Sequence, residues 1–320
     1  MFIKIHIKKE FIFIIYFIPI SLLFIVLKKF LHNMIILINI LECSQIFLYI
    51  VAIYNKYQIN KSSDSIINER KKAKQFEVFL LLIFLITLSL IHLYLYQFIE
   101  QFLYLDYQEF LYSSMIILID GIFFKTQIYS HQIFSFILLI FGMIILFIKR
   151  DINCFSFIIL ILDSYCYSFY NLLIYYINKI YFIDVFALGS LIGFSNLLQI
   201  LIYFKDLGLI VEFYKIFILL FIVDFIFFFF FYKLVSKFGP IIALYSYNIS
   251  CVIFLGIFLD LEIILVLISY FAGLVYLEII EITVCGLNKN IKINISERAK
   301  IDINIMLQDL ETSTENSIII

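Results

Sequence analysis

Acidic residues recur inside stretches of sequence that are otherwise apolar, and their chemistry stands out for that reason. Glu42, Asp120, Asp163 and Asp224 each interrupt such a stretch, and Glu278 lies near the end of the last one. Charge is unfavourable in an apolar environment, so acids within a membrane usually face the bundle interior and often mark the path of an ion or substrate. These five residues are therefore our candidates for a substrate or proton pathway.

The same acids have no evident cation partner, because no Lys or Arg lies in the middle of an apolar stretch. A buried carboxyl without such a partner avoids desolvation of its charge by staying protonated, and it can then carry a proton. Glu42, Asp163 and Asp224 lie nearest the centres of their stretches and rank highest. Glu278 and Glu281 have the i, i+3 spacing that predicts a shared helix face. Alternatively, each acid bonds Ser, Asn or Tyr on a neighbouring helix and serves only packing.

The other reactive residue types form no second constellation. The four histidines are dispersed, and His92, which lies within an apolar stretch, is a candidate for a proton relay. The five cysteines show no C-x-x-C spacing, and there is no phosphate-binding Gly-x-x-x-x-Gly-Lys loop. We therefore predict no catalytic residue, no metal site, no cofactor and no enzyme activity.

The elements that must position the acids are helices that cross a membrane. The chain is 64% hydrophobic, and an apolar helix of about 20 residues crosses the hydrocarbon core of a bilayer. Only helices satisfy their own backbone in lipid at such lengths. The predicted fold class is an all-α polytopic membrane protein with about ten transmembrane helices. The predicted spans are 11–27, 30–54, 77–98, 110–125, 131–148, 153–177, 181–203, 214–232, 238–259 and 263–284.

The basic residues predict an orientation. With the N-terminus in the cytosol, seventeen of the 23 Lys and Arg residues fall on the cytosolic side, as the positive-inside rule requires. An even number of spans brings both termini to the cytosol. We expect an N-terminal five-helix half at 1–150, a C-terminal five-helix half at 151–285 and a cytosolic polar tail at 286–320. Since five is odd, the two halves would be inverted repeats, as in many secondary transporters.

Small residues within the spans are candidates for helix packing or for a hinge. Gly189 and Gly193 have GxxxG spacing, which allows close helix approach, and Gly142 lies inside another span. Pro240 lies at the edge of a span, where it can bend or shape a helix. The many Phe and Tyr residues are attributed to a compositional drift, apart from a Tyr belt at the membrane interfaces.

Four stretches together carry a resemblance to a known family, and one of them is residues 239–258 with the acidic turn at Asp260 and Glu262 that follows. Residues 110–148 contain a helix that ends in a loop bearing Lys125, followed by Gln132 near the start of the next helix and then a glycine in a small apolar run. Residues 30–54 contain an acid, and residues 185–204 contain the glycine pair. These features resemble the solute-carrier-35-like branch of the drug/metabolite transporter superfamily, which includes nucleotide-sugar transporters.

The resemblance implies a ten-helix carrier that works by alternating access, with a central cavity between two inverted five-helix halves. Paired acids that the branch carries near the end of its sixth helix are absent here, where Tyr175 and Tyr176 lie instead. No family substrate is therefore carried over. The expected cargo is a small polar metabolite, and the buried acids favour proton coupling to a neutral or cationic solute.

The expected partners are the lipid bilayer and a small-molecule substrate, with a homodimer as an open option. The net charge of −1 gives no sign of a nucleic-acid partner. The localisation is an endomembrane (Golgi, endoplasmic reticulum or vacuole) or the plasma membrane. Two alternatives stay open: a non-transporting membrane scaffold or regulator with the same fold, and an intramembrane lipid-modifying enzyme, which would need a His/Asp cluster.

Overall fold

The computed structural model describes residues 3–5, 11–30, 43–60, 75–102, 108–123, 129–149, 154–181, 183–202, 214–258, 263–276 and 280–282. These residues form ten α-helices, one 3₁₀ segment and two short strands. The strands are β1 (Ile3–Ile5) and β2 (Ile280–Ile282), and the 3₁₀ segment is Cys43–Phe47. The helices are α1 (Phe11–Phe30), α2 (Leu48–Asn60), α3 (Gln75–Phe102), α4 (Gln108–Phe123), α5 (Ser130–Lys149), α6 (Cys154–Tyr181), α7 (Val185–Ile202), α8 (Tyr214–Phe238), α9 (Pro240–Phe258) and α10 (Ile263–Tyr276).

Each predicted span overlaps one of these helices, so the helical character of the predicted fold is confirmed for the described part of the chain. Two segments, Glu77–Tyr96 in α3 and Phe155–Tyr181 in α6, are long and apolar enough to cross a membrane. Shorter apolar segments lie in α1, α5 and α7. Length and composition of this kind also occur in buried core helices, so they support membrane association without counting the crossings. That the chain crosses the membrane ten times stays a prediction.

A pair of short strands is the exception to the all-α prediction. β1 pairs with β2 in antiparallel register, with Lys4 opposite Glu281. The alternating, β-branched Ile-Glu-Ile sequence of β2 suits a strand, and α10 ends before it at Tyr276. The placement of Glu281 on a helical face with Glu278 is therefore wrong, and Glu278 itself lies outside the described residues. The strand pair joins the two ends of the helical region.

The junction between α8 and α9 shows how local sequence ends one helix and starts the next. Gly239 has φ +92°, a left-handed conformation that glycine adopts without strain, and its N–H donates to the carbonyl of Val235 at 3.0 Å. Pro240 follows as the first residue of α9, where its missing N–H has no helical partner to lose. Lys179 Nζ donates to the carbonyl of Ser236 at 3.3 Å, which satisfies an acceptor in the last turn of α8.

Several helix contacts recur five helices further along the chain. α1 packs on α8 and α9, and α6 packs on α3 and α4. The 3₁₀ segment that precedes α2 packs on α8 as α7 packs on α3, and α4 packs on α5 as α9 packs on α10. The pairs α2 with α7, α4 with α9 and α5 with α10 join corresponding helices directly. α8 packs on both α7 and α9, whereas the described part of α3 does not pack to a similar extent on α2 or α4, so the repetition is approximate.

The described residues bury polar side chains beside an apolar core and also expose large apolar side chains on the outside of the bundle. All of the helices from α1 to α8 expose large apolar side chains, among them Tyr16, Ile50, Phe79 and Phe155. The buried polar groups include three aspartates, two histidines and many Ser and Asn side chains. A soluble domain has the reverse preference. The interior of this bundle is therefore the place for polar chemistry.

Candidate functional site

Asp163 of α6 lies at a junction of three helices. Its side chain is 0% exposed. His92 Nδ1 of α3 and Asp163 Oδ1 share a hydrogen bond of 2.7 Å, and the Tyr112 hydroxyl of α4 donates to Asp163 Oδ2 at 3.0 Å. An ionised carboxylate can only accept, so the proton of the first bond lies on Nδ1 whenever Asp163 is ionised. The site thus combines an acid, a base and a hydroxyl donor.

The sequence of α6 places the site residues on one helix face. Asp163, Tyr167 and Tyr170 have i, i+4 and i+7 spacing, so their side chains lie along a single stripe. Ser168 Oγ of the same helix donates to the carbonyl of Tyr112 at 2.9 Å. This contact fixes the backbone of α4 where its tyrosine reaches Asp163. The close approach of α3, α4 and α6 therefore positions the site.

Four tyrosine rings surround the imidazole of His92. Ring centroids lie 4.9 Å away for Tyr167, 5.7 Å for Tyr170, 5.9 Å for Tyr96 and 6.2 Å for Tyr112. Tyr112 and Tyr167 also stack on each other at 4.1 Å. A cation within about 6 Å of an aromatic ring is attracted by the ring quadrupole. The rings therefore suit a His92 side chain that carries a proton.

Two further acids that the sequence singled out, Asp120 and Asp224, are bonded to hydroxyls on neighbouring elements. Tyr176 of α6 donates to Asp120 Oδ1 at 2.7 Å, and Ser44 Oγ donates to Asp224 Oδ2 at 2.5 Å. Both aspartates are buried. These are the contacts that a purely packing role requires. Asp163 differs because a titratable base shares its carboxylate.

The 3₁₀ segment Cys43–Phe47 lies against the glycine pair of α7. A Cβ at Gly193 would lie 2.6 Å from the backbone nitrogen of Ile46, and a Cβ at Gly189 would lie 2.6 Å from the Tyr232 ring. The Tyr232 hydroxyl of α8 also donates to Gln45 Oε1 at 3.1 Å. The two glycines thus lie where α7 approaches α8 and the start of α2 most closely.

Other predicted positions lie away from this junction or outside the described residues. Glu42, Glu278 and Lys125 belong to the undescribed part of the chain. Gly142 is buried in α5. Gln132, singled out by the family resemblance, has a local role, because its Oε1 accepts from the backbone N–H of Tyr129 at 3.0 Å and so caps the start of α5.

No family model matches this sequence, and no curated protein matches it. The resemblance to drug/metabolite transporters therefore stays a prediction. Among the side chains that the structure describes, no group of three His, Cys, Asp or Glu residues is placed to hold a metal ion. The site must be interpreted from its own geometry.

The tyrosines are the part of the site that is absent from the predictions, because the aromatic content was attributed to compositional drift. A signal for them exists in the sequence. Tyr167 and Tyr170 follow Asp163 at helical spacing, and Tyr96 follows His92 by four residues. Their spacing places these tyrosines on the same helix face as the ionisable residue, and this spacing distinguishes them from aromatic residues scattered around the helix.

Proposed function

We propose that the protein is a multi-pass membrane transporter that moves a small polar metabolite by alternating access. The observation that carries the proposal is that large apolar side chains cover the outside of the bundle while acidic, hydroxyl and amide side chains are buried beside its apolar core. A helix in lipid needs this arrangement, because exposed apolar groups contact acyl chains and intramembrane polar groups face the interior.

The exposure of α3 supports a membrane setting over a soluble one. Only 28% of the apolar window within Glu77–Tyr96 is buried, although this window has the length and composition of a membrane span. A core helix of a soluble protein would be mostly buried, and a signal sequence would lie near the N-terminus. Phe79, Ile83 and Ile91 of this helix are exposed, as lipid-facing side chains would be.

The recurrence of helix contacts supports two inverted five-helix halves. Corresponding contacts are found for α1 and α6, for the 3₁₀ segment before α2 and α7, and for α4 and α9, as expected of a pseudo-twofold relation. Secondary transporters built from inverted repeats bind substrate at the interface of the repeats. The pairing of β1 with β2 further supports termini on the same side, as the positive-inside count predicts.

The buried side chains favour a neutral or cationic cargo over an anionic one. No Lys or Arg is buried among the residues that the structure describes, whereas Asp120, Asp163 and Asp224 are. A phosphate or nucleotide is usually recognised by Arg or Lys. The proposed cargo is therefore a small polar metabolite without a strongly anionic group.

The test is uptake by purified full-length protein in proteoliposomes with an imposed pH gradient. Pools of labelled neutral and cationic metabolites would be offered, and we expect gradient-dependent accumulation of at least one pool. Asp163→Asn should abolish most of this uptake. Ser164→Ala is the matched control, since Ser164 is the adjacent buried residue and donates to Leu160 O of its own helix at 2.8 Å.

Two results would contradict the proposal. One is a folded, correctly inserted protein that accumulates none of the pools, which would favour a scaffold or regulatory protein. The other is a topology measurement, with protease-accessible tags on each end, that finds the termini on opposite sides of the membrane. Termini on opposite sides require an odd number of crossings, whereas two five-helix halves would cross the membrane ten times.

A further inference from the structure

The junction around Asp163 contains a base as well as a buried acid, because the His92 imidazole lies within hydrogen-bond distance of the carboxylate. The titratable groups that face His92 are Tyr96 from its own helix, Tyr112 from α4, and Asp163, Tyr167 and Tyr170 from α6. Cys166 interacts electrostatically with Asp163 from within α6. Asp163 is the carboxyl in this set, and it contacts the imidazole directly.

We propose that His92 and Asp163 form a single proton-binding site, in which the bound proton resides on the imidazole and Asp163 is its counter-ion. The inference rests on the proposed transporter function, because it names the ion that would be coupled to transport. It assigns the proton to a pair of residues on α3 and α6, and not to an isolated carboxyl.

The charge balance of the pair gives it two distinct states. With the proton bound, His92 carries +1 and Asp163 carries −1, so the pair is neutral. When the proton leaves to water, His92 is neutral and the pair carries −1. An uncompensated charge in a low-dielectric interior is strongly unfavourable. The deprotonated state therefore favours water or a cationic solute at this junction, and the protonated state favours a closed one.

The surroundings of the pair stabilise the protonated state in two ways. The Tyr112 hydroxyl donates to Asp163 Oδ2, the carboxylate oxygen that the imidazole does not contact. The four tyrosine rings surround the imidazole itself. Hydrogen bonds to an ionised carboxylate and cation–π contacts both favour the charged pair. Asp163 bonds His92 of α3 and Tyr112 of α4. A change in its charge therefore affects the contact of α6 with α3 and the contact of α6 with α4.

The test is a histidine titration by NMR of full-length protein in lipid nanodiscs. The chain has four histidines, so ¹⁵N-histidine labelling gives few ring signals, and His92→Gln assigns the one of interest. We expect the wild-type His92 ring to convert reversibly between imidazolium and neutral forms as the pH is varied. In Asp163→Asn this conversion should be lost.

Ser164→Ala is the matched control, because it changes the buried residue next to Asp163 in α6, and the His92 conversion should persist in it. A wild-type His92 signal that stays in one form throughout the pH series would overturn the proposal without any variant. An unchanged conversion in folded Asp163→Asn would also overturn it. A normal titration combined with an absence of solute uptake would instead count against the transporter function, so the two proposals can fail separately.

Discussion

Two interfaces, formed by helices that correspond five positions apart in the helix order, differ in chemistry. The tyrosine–histidine interface, of α6 with α3 and α4, contains His92, Tyr112 and Asp163. The phenylalanine interface, of α1 with α8 and α9, is built mainly from aromatic stacking: Phe24 lies parallel to Phe227 at 4.0 Å. A polar contact across it is the 3.2 Å hydrogen bond from Ser250 Oγ to the main-chain carbonyl of Ile18 in α1.

The difference shows that this helix arrangement does not need a buried ionisable pair. At the phenylalanine interface, apolar rings fill the space between three helices. At the tyrosine–histidine interface, the corresponding space contains an acid, a base and hydroxyls that must all be mutually satisfied. Replacing a buried ion pair with apolar residues of similar volume is often neutral or stabilising in proteins. The polar groups of the tyrosine–histidine interface are therefore better explained by function than by packing.

The largest effect on stability is expected in the phenylalanine interface. Phe227 is buried and contacts both Phe17 and Phe24. Phe227→Ala should lower the free energy of unfolding by about 4 kcal/mol, because it removes ring contacts and leaves a cavity. Reversible denaturation in mixed micelles would measure this change. Phe141→Ala is the control, since Phe141 is exposed on α5, and equal losses for the two variants would refute a packing role specific to this interface.

The tyrosine–histidine interface should respond differently to single and double changes. Asp163→Leu should cost about 3 kcal/mol, because it leaves His92 buried without its carboxylate. Adding His92→Leu should recover most of that loss while eliminating the proton site. The same denaturation assay measures both variants. A double variant no more stable than Asp163→Leu would mean that the pair is structurally required and that the contrast between the interfaces is wrong.

Much of the fold follows from the sequence because helix formation depends on local pattern and length. The apolar runs predict the helices, and the burial of Asp120, Asp163 and Asp224 agrees with the expectation that such acids face the bundle interior. The partner of each acid is not a local property. His92 and Asp163 are 71 positions apart, and their contact depends on how α3 packs against α6. The strand pairing at the two ends depends on contacts across the whole chain for the same reason.

A smaller effect is expected at the contact of α7 with the 3₁₀ segment Cys43–Phe47. Gly193→Ala should lower the free energy of unfolding by about 2 kcal/mol, because the added carbon would meet the backbone of Ile46, which cannot rotate away. Gly189→Ala should cost less, since its clash is with the Tyr232 side chain. Thermal unfolding of the two variants compares them directly. The reverse order would show that the Tyr232 ring is the more rigid neighbour.

The smallest effect on stability is expected when a single tyrosine hydroxyl is removed, and such variants can separate stability from proton binding. Tyr112→Phe keeps the ring that stacks on Tyr167 and removes the hydroxyl that bonds Asp163. Tyr176→Phe likewise removes the hydroxyl that bonds Asp120. Each variant should lose about 1 kcal/mol of stability, the usual contribution of one hydrogen bond.

The two variants should nevertheless differ in the NMR titration of His92. Tyr112→Phe removes a donor to the counter-ion of the imidazolium, so the pH range of the His92 conversion should move. Tyr176→Phe alters a separate carboxylate and should leave that range unchanged. If both variants shifted the conversion equally, the tyrosine hydroxyls would be acting on the bundle as a whole. The contrast between the two interfaces would then reflect general polarity and not a localised proton site.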